Sequence, residues 1–343
     1  MAEKWYERSR ECGDIVISSR VRLARNLREY PFPNRANEQQ KLEIAQKVKE
    51  ALLTTGSSIA KEFRFLPLDS LSDEAAISLA ERHIVSAEFL SARQGRAVLL
   101  SEDEGVSIMI NEEDHLRLQV MKEGLSLKEA AQLADRLDTL LGETLNFAFH
   151  EEFGFLTQCP TNLGTGMRAS VMLHLPALTE SGGLQRIAGN LSKLGLTLRG
   201  SYGEGSKVSG AIYQLSNQIT LGITEAEAIE NLTAITKQLI SEERKLRHDL
   251  METLSMQDRV ERAVGVLKTA RLLSTGEFME LLSLVRLGAS TGLLSGIEAG
   301  DLNDLMTRVQ PATLMSAQGK QLTESERDAL RAAEVRKVFE TIQ

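Results

Sequence analysis

Four separated stretches of this sequence place cations, carboxylates, a thiol and bare backbone where local structure alone does not call for them. In "SSRVRLAR" (18–25), Arg20 and Arg22 stand two apart. On a strand that spacing puts both guanidinium groups on one face, where they can share an anion. "INEEDHLRLQ" (110–119) sets Glu112, Glu113 and Asp114 beside His115 and Arg117. Such a run serves metal binding, acid–base work or capture of a cationic substrate, or is a solvated acidic turn. "CPTNLGTGMRASV" (159–171) joins Cys159 to Gly164, Thr165, Gly166 and Arg168. A glycine bend of this kind is expected to turn backbone N–H groups toward an anion, with Arg168 beside them. "LRGSYGEGSKVSG" (198–210) surrounds Arg199 and Glu204 with four glycines and reads either as a flap that closes over reactants or as a disordered surface loop.

Together these stretches offer Arg20, Arg22, Arg117, Arg168 and Arg199, with carboxylates from two segments. Phosphoryl transfer depends mainly on positioning and charge neutralisation, so this is a suitable set for a nucleoside triphosphate. Neither a G-x-x-x-x-G-K-[ST] loop nor a G-x-G-x-x-G followed by H-R-D is present. The carboxylates are therefore read as holding the phosphoryl acceptor.

The elements that position these residues are legible in outline. "DIVISS" (14–19) reads as a strand running into the arginine pair, and "AVLLSEDEGVSIMIN" (97–111) as an antiparallel hairpin turning at Gly105. A helix is predicted from a capping box at Ser126 and Glu129 to Gly142. "GLTLRG", "SGAIYQLS" and "NQITLG" are short strand candidates. Strands do not alternate regularly with helices, which favours an α+β fold with an antiparallel sheet flanked by helices. A second capping box, Thr224 to Glu227, opens a helix of seven or eight turns. Beyond it the pattern is all-helical, with four further helices separated by Gly, Ser and Pro311. The expected division is a catalytic domain over 1–253 and a helical domain over 254–343.

Bulk composition narrows the function. The 343 residues carry 40 basic and 48 acidic side chains, a net charge of −8, which disfavours nucleic-acid binding through overall charge. Two cysteines, Cys12 and Cys159, make no disulfide framework and fit a cytoplasmic setting. The charged N-terminus lacks a signal-peptide run, and no stretch is apolar enough to span a membrane.

In their order and content the four motifs resemble the active-site segments of the phosphagen (guanidino) kinases, over roughly residues 14 to 250. The resemblance implies ATP with Mg²⁺ as the phosphoryl donor, and no protein-held metal. Arg20, Arg22, Arg117, Arg168 and Arg199 would clamp the phosphates, and His83 in "ERHIVS" would lie near the adenine. Ser18, Ser19, Val21, Ala169, Ser170, Val171, Met172, Gly200, Ser201, Tyr202 and Gly203 fall within the same nucleotide-binding segments. Glu113 and Glu204 would hold the acceptor guanidinium, with Cys159 beside it.

Two departures matter. The "S-R-V-R" segment begins at Ser18, leaving no room for the helical domain that small-guanidine kinases carry in front of it, and a helical region follows instead. Tyr202 stands where those kinases have a further flap arginine. This layout is similar to the bacterial protein-arginine kinases. "RDALRA" (327–332) fits their phosphoarginine pocket, with Arg327 and Arg331 sharing a helix face, Asp328 free for the guanidinium end, and Ala332 completing the pattern. The same resemblance implies stress response in a bacterium, with a heat-shock repressor, a Clp-type unfoldase and a zinc-binding activator as partners, and a homodimer. A small-guanidine kinase with a rearranged accessory domain, or a non-catalytic phosphoarginine-binding adaptor, are the alternatives at this point.

Overall fold

The computed structural model describes residues 3–54, 58–200 and 209–340. Its centre is an eight-stranded sheet in which every neighbouring pair is antiparallel. In chain order the elements are β1 (Val16–Arg25), α1 (Glu38–Leu53), β2 (Phe63–Pro67), α2 (Asp73–Glu81), β3 (Ala97–Ser101), β4 (Val106–Ile110), β5 (Leu116–Glu123), α3 (Leu127–Gly142), β6 (Phe149–His150), β7 (Gly154–Phe155), β8 (Met167–His174), α4 (Pro176–Glu180), α5 (Leu184–Lys193), β9 (Leu196–Gly200), β10 (Ile212–Asn217) and α6 (Glu225–Met251). The sheet order is β2-β3-β4-β5-β1-β8-β10-β9, with β6 and β7 forming a separate hairpin. Helices α7 (Leu254–Thr269), α8 (Thr275–Ser290), α9 (Ala299–Arg308), α10 (Pro311–Gln318) and α11 (Glu324–Phe339) follow.

Period-two alternation decides what each sheet face does. Val21 and Leu23 of β1, Leu116, Leu118 and Val120 of β5, and Met167, Ala169 and Val171 of β8 enter one large core beneath α1, α3 and α6. Helix α3 meets it with Leu127, Ala130, Ala134, Leu137 and Leu141, the spacing of one helical face. The opposite face is covered in two places. Val98, Leu100 and Met109 pack with Leu79, Ile84 and Phe89 around the end of α2. Ile17, Met172 and Ile212 pack against α7, α8, α9 and α11. The rest of that face carries Arg20, Arg22, Arg117 and Arg168.

Several local expectations change. The predicted box at Ser126 does not form: its Oγ donates to the Glu123 carbonyl at 2.7 Å, leaving the first turn of α3 without a side-chain cap. The box at Thr224 and Glu227 is present, and α6 runs 27 residues. "NQITLG" contributes only Asn217, the last residue of β10, because Thr220 turns back to bond the glycine bend. Among the described residues five helices follow α6 rather than four. Pro311 starts α10 instead of separating helices: at the first helical position its missing N–H costs nothing and its fixed φ suits the helix.

Candidate active site

Strand register brings the arginines together. Arg22 of β1 lies opposite Arg168 of β8 on one side and Gln119 of β5 on the other. Arg20 is opposite Ser170, and Arg117 opposite Ala24. Arg20 is held in place: its Nε donates to Ser170 Oγ at 3.1 Å and its Nη2 to Gln214 Oε1 at 2.7 Å. Arg22 has no such partner for its buried Nε. Burial and the neighbouring cations Arg117 and Arg168 push the Arg20 guanidinium down to about 10. Arg22 is held well below its ordinary value by burial and by Arg20, Arg117 and Arg168. Like charges crowded this closely are costly to the fold alone, and a polyanion is what would relieve them.

The carboxylates arrive on the β4–β5 connection. Asn111, at φ +62, donates its N–H to the His115 carbonyl at 2.9 Å and closes the loop. Its side-chain amide ties that loop to the carbonyls of Lys41 and Gly95. Arg117 bonds Glu112 at 2.9 Å and lies 3.5 Å from Glu113. Burial, with Asp114 and Glu112 close by, raises the Glu113 carboxyl above the usual range despite Arg117. His115 is fully buried: its Nδ1 accepts from Leu27 N–H, so Nε2 carries the proton to the Pro31 carbonyl. It is a structural histidine.

Asp114 links this loop to the cysteine segment. One carboxylate oxygen accepts from Asn26 Nδ2 at 2.6 Å and from the Gln158 N–H at 2.8 Å. Cys159 follows immediately, its Sγ 3.0 Å from Thr161 Oγ1. A cleft of about 1040 Å³ is lined by Glu112, Glu113, Arg117, Cys159, Arg168 and Arg199, among others. A recess of about 90 Å³ joins Arg22 to Glu113, Arg117, Cys159 and Arg168. The β4–β5 loop and the cysteine segment thus line both cavities, meeting β1 in the recess and β9 in the cleft.

Other expected positions lie elsewhere. The side chains of Val21, Ala169 and Val171 enter the large core, as alternation requires of residues flanking the arginines. Ser19 turns the same way and bonds the Gly124 carbonyl at 2.8 Å. Ser18 is buried, and Met172 packs with the C-terminal helices. Gly200 ends β9, while Ser201, Tyr202, Gly203 and Glu204 lie outside the described residues. The glycine bend is not an open anion nest. Thr165 N–H donates to the Thr220 carbonyl, and a Cβ on Gly164 would stand 2.2 Å from that same oxygen. Gly164 is required by backbone packing at φ +99. Gln214 and Asn26 are working parts that the sequence reading missed. For Gln214, the one available signal was a polar residue between apolar neighbours on β10.

His83 stands at the edge of the arginine face. Burial and the nearby Arg20 bring its imidazole down to about 4, so it is neutral at ordinary pH. In α11, Arg331 is buried: it donates to the carbonyls of Val309 and Leu273 and bonds Asp328 at 2.6 Å. Asp328 is therefore engaged rather than free, because a fully buried guanidinium needs a counter-charge. Arg327 donates to the Leu322 carbonyl, and Ala332 is core.

Residues 43–246 match the ATP:guanido phosphotransferase C-terminal catalytic domain. Residues 253–343 match the protein-arginine kinase McsB C-terminal domain. A protein-arginine kinase of Halothermothrix orenii is 46% identical over 321 residues, covering 93% of this chain and 91% of the relative. One from Moorella thermoacetica is 47% identical over 339 residues, covering 98% and 97%. The chain belongs to the protein-arginine kinases. Membership of this family makes it an ATP:guanidino phosphotransferase that acts on arginine in proteins. Two solved phosphagen kinases share the fold. Lombricine kinase superposes at a TM-score of 0.62 with 25% identity, covering 70% of this chain and 69% of the other. The duplicated taurocyamine kinase of Schistosoma mansoni, with transition-state analogue components bound, gives 0.61 and 27%, covering 75% of this chain and 39% of the other. Within this protein-arginine kinase the first matched region, 43–246, holds every strand of the sheet but β1, and the second, 253–343, holds helices α7 to α11.

Proposed function

We propose that the cleft is where the γ-phosphoryl group of ATP passes to an arginine side chain of a protein substrate. The observation that carries this reading is the meeting of Arg117 and Arg168 with Glu113 and Cys159, which line both a cleft that also holds Arg199 and a recess that also holds Arg22. Arg20, Arg22, Arg117, Arg168 and Arg199 bind the phosphates, and the neutral His83 sits toward the base. Glu113, with Glu204 from the flap, takes the guanidinium through paired charge-assisted hydrogen bonds. One guanidine nitrogen attacks the γ-phosphorus as the bond to the bridging oxygen breaks, and its proton passes to a carboxylate. The raised Glu113 carboxyl suits that acceptor role. Cys159 packs beside the guanidinium and orients it.

No group of three or more His, Cys, Asp or Glu side chains among the described residues is arranged to hold a metal. The cleft is lined by Lys41, Arg96, Arg117, Arg168 and Arg199 against Glu88, Glu112 and Glu113, so cations outnumber carboxylates and Mg²⁺ fits as an ion carried by the triphosphate, where it would supply charge neutralisation. We place the division between the catalytic and helical units at residue 253, where Thr253 caps α7. Arg327 and Asp328 form the outward side of a phosphoarginine site that the buried Arg331 positions. The helical unit mediates a homodimer. No helix among the described residues is long and apolar enough to cross a membrane. The cellular role that fits is cytoplasmic stress response, marking proteins for a Clp-type unfoldase, acting on a heat-shock repressor and assisted by a zinc-binding activator.

The deciding experiment is Glu113→Gln. Loss of a charged hydrogen bond and of a proton acceptor predicts a fall in kcat of about 10³-fold with ATP affinity kept. Unchanged transfer would refute the assignment.

A further inference from the structure

We propose that Glu81 is a positioning residue: by capping α10 it fixes the end of α2, and so sets where His83 stands beside Arg20. The inference rests on the reading of that face as the nucleotide site. Glu81 is the last residue of α2, and its carboxylate accepts from Ala312 N–H at 2.9 Å, Thr313 N–H at 2.7 Å and Thr313 Oγ1 at 2.9 Å. Pro311 has no N–H, so these are the first two backbone donors of α10. A carboxylate at a helix N-terminus also meets the favourable end of the helix dipole. One turn back, Ser78 Oγ lies 3.1 Å from Thr313 Oγ1. The helical unit thus grips the last turn of α2 through directional bonds rather than packing alone.

Two residues beyond Glu81 the chain reverses. His83 adopts φ +59, a conformation that non-glycine residues rarely hold. Its N–H donates to the Ala80 carbonyl at 3.0 Å, and its own carbonyl accepts from Gln119 Nε2 at 2.8 Å. Gln119 is the register partner of Arg22. The imidazole is therefore aimed by two anchors: Gln119, from the arginine face, and the end of α2, which Glu81 ties to α10. On the other side, Arg331 holds the Val309 carbonyl two residues before Pro311, so α10 is itself fixed within the helical unit. Any shift of α10 moves the end of α2, and with it His83.

The test measures KM for ATP and kcat on the full chain with a protein substrate. Glu81→Ala is expected to raise KM for ATP about five- to tenfold with kcat within about twofold, the split expected of lost nucleotide positioning. Thr313→Val, which removes one of the three bonds to Glu81 together with the Ser78 contact, should raise it about twofold. Glu81→Gln, which keeps an acceptor, should fall between wild type and Glu81→Ala. In a His83→Ala background, Glu81→Ala should add nothing, the mark of two residues acting through one. A folded Glu81→Ala with wild-type KM for ATP overturns the proposal, as do effects that multiply in the double variant. Should Glu81→Ala fail to fold, Thr313→Val carries the same two outcomes at smaller amplitude. His83→Ala alone with wild-type KM for ATP refutes the nucleotide role of His83 itself, and so is distinguishable from failure at Glu81.

Discussion

Arg22→Met separates what the arginine cluster does for the fold from what it does for ATP. Arg22 carries a buried Nε without a hydrogen-bond partner and stands among Arg20, Arg117 and Arg168. A buried unsatisfied donor costs about 1–3 kcal/mol, and methionine fills similar volume without charge. The variant should therefore gain about 1–3 kcal/mol without nucleotide, or roughly 2–6 °C in Tm for a domain of this size. With nucleotide the order changes. Losing one charged hydrogen bond to phosphate, about 1.5–3 kcal/mol, weakens binding roughly 10- to 150-fold. At an ATP concentration of about 100 times the wild-type Kd, linkage stabilises wild type by about 2.7 kcal/mol. A variant binding about 100-fold more weakly gains only about 0.4 kcal/mol at that concentration. Thermal unfolding with and without Mg²⁺–ATP reads both quantities. A variant less stable than wild type without nucleotide, or one that keeps the full ATP increment, would refute the claim that these cations are assembled for a polyanion.

Three further outcomes are expected. Cys159→Ser should slow transfer through misplacement of the guanidinium while leaving ATP affinity intact; wild-type turnover would reduce the thiol to packing. Glu113 acts as a carboxylate, and burial raises its pKa, so activity should fall on acidification at a pH above the ordinary carboxylate range. A pH–rate profile whose acid limb lies at the unperturbed value contradicts this. Arg331→Ala leaves two buried carbonyls and Asp328 without their partner and should destabilise the helical unit by about 3–5 kcal/mol; denaturant titration checks it.

Much of the scaffold was legible because it is locally periodic. The hairpin at Gly105, the arginine strand and the long helix after Thr224 each carry their signal within a few residues. The misreadings share a cause: a residue type has two uses, and only tertiary context chooses between them. A proline between helical stretches reads as a break, yet Pro311 starts α10. A Gly-Thr-Gly bend reads as a set of anion donors, whereas at Gly164 the bare backbone is demanded by the carbonyl of Thr220, more than fifty residues away. Asp328 reads as free from sequence because the burial of Arg331, which engages it, has no local signature. Within the site, residue types pointed to phosphate and guanidinium chemistry, but their assembly did not follow from spacing. It depends on β1 lying between β5 and β8, an order that no local signal in the sequence carries.

The most direct test of the whole account is mass spectrometry of a protein substrate incubated with this chain, Mg²⁺ and ATP. The account predicts acid-labile phosphate on arginine side chains, abolished by Glu113→Gln. Phosphate appearing on free arginine but never on protein, or persisting undiminished in that variant, would contradict it.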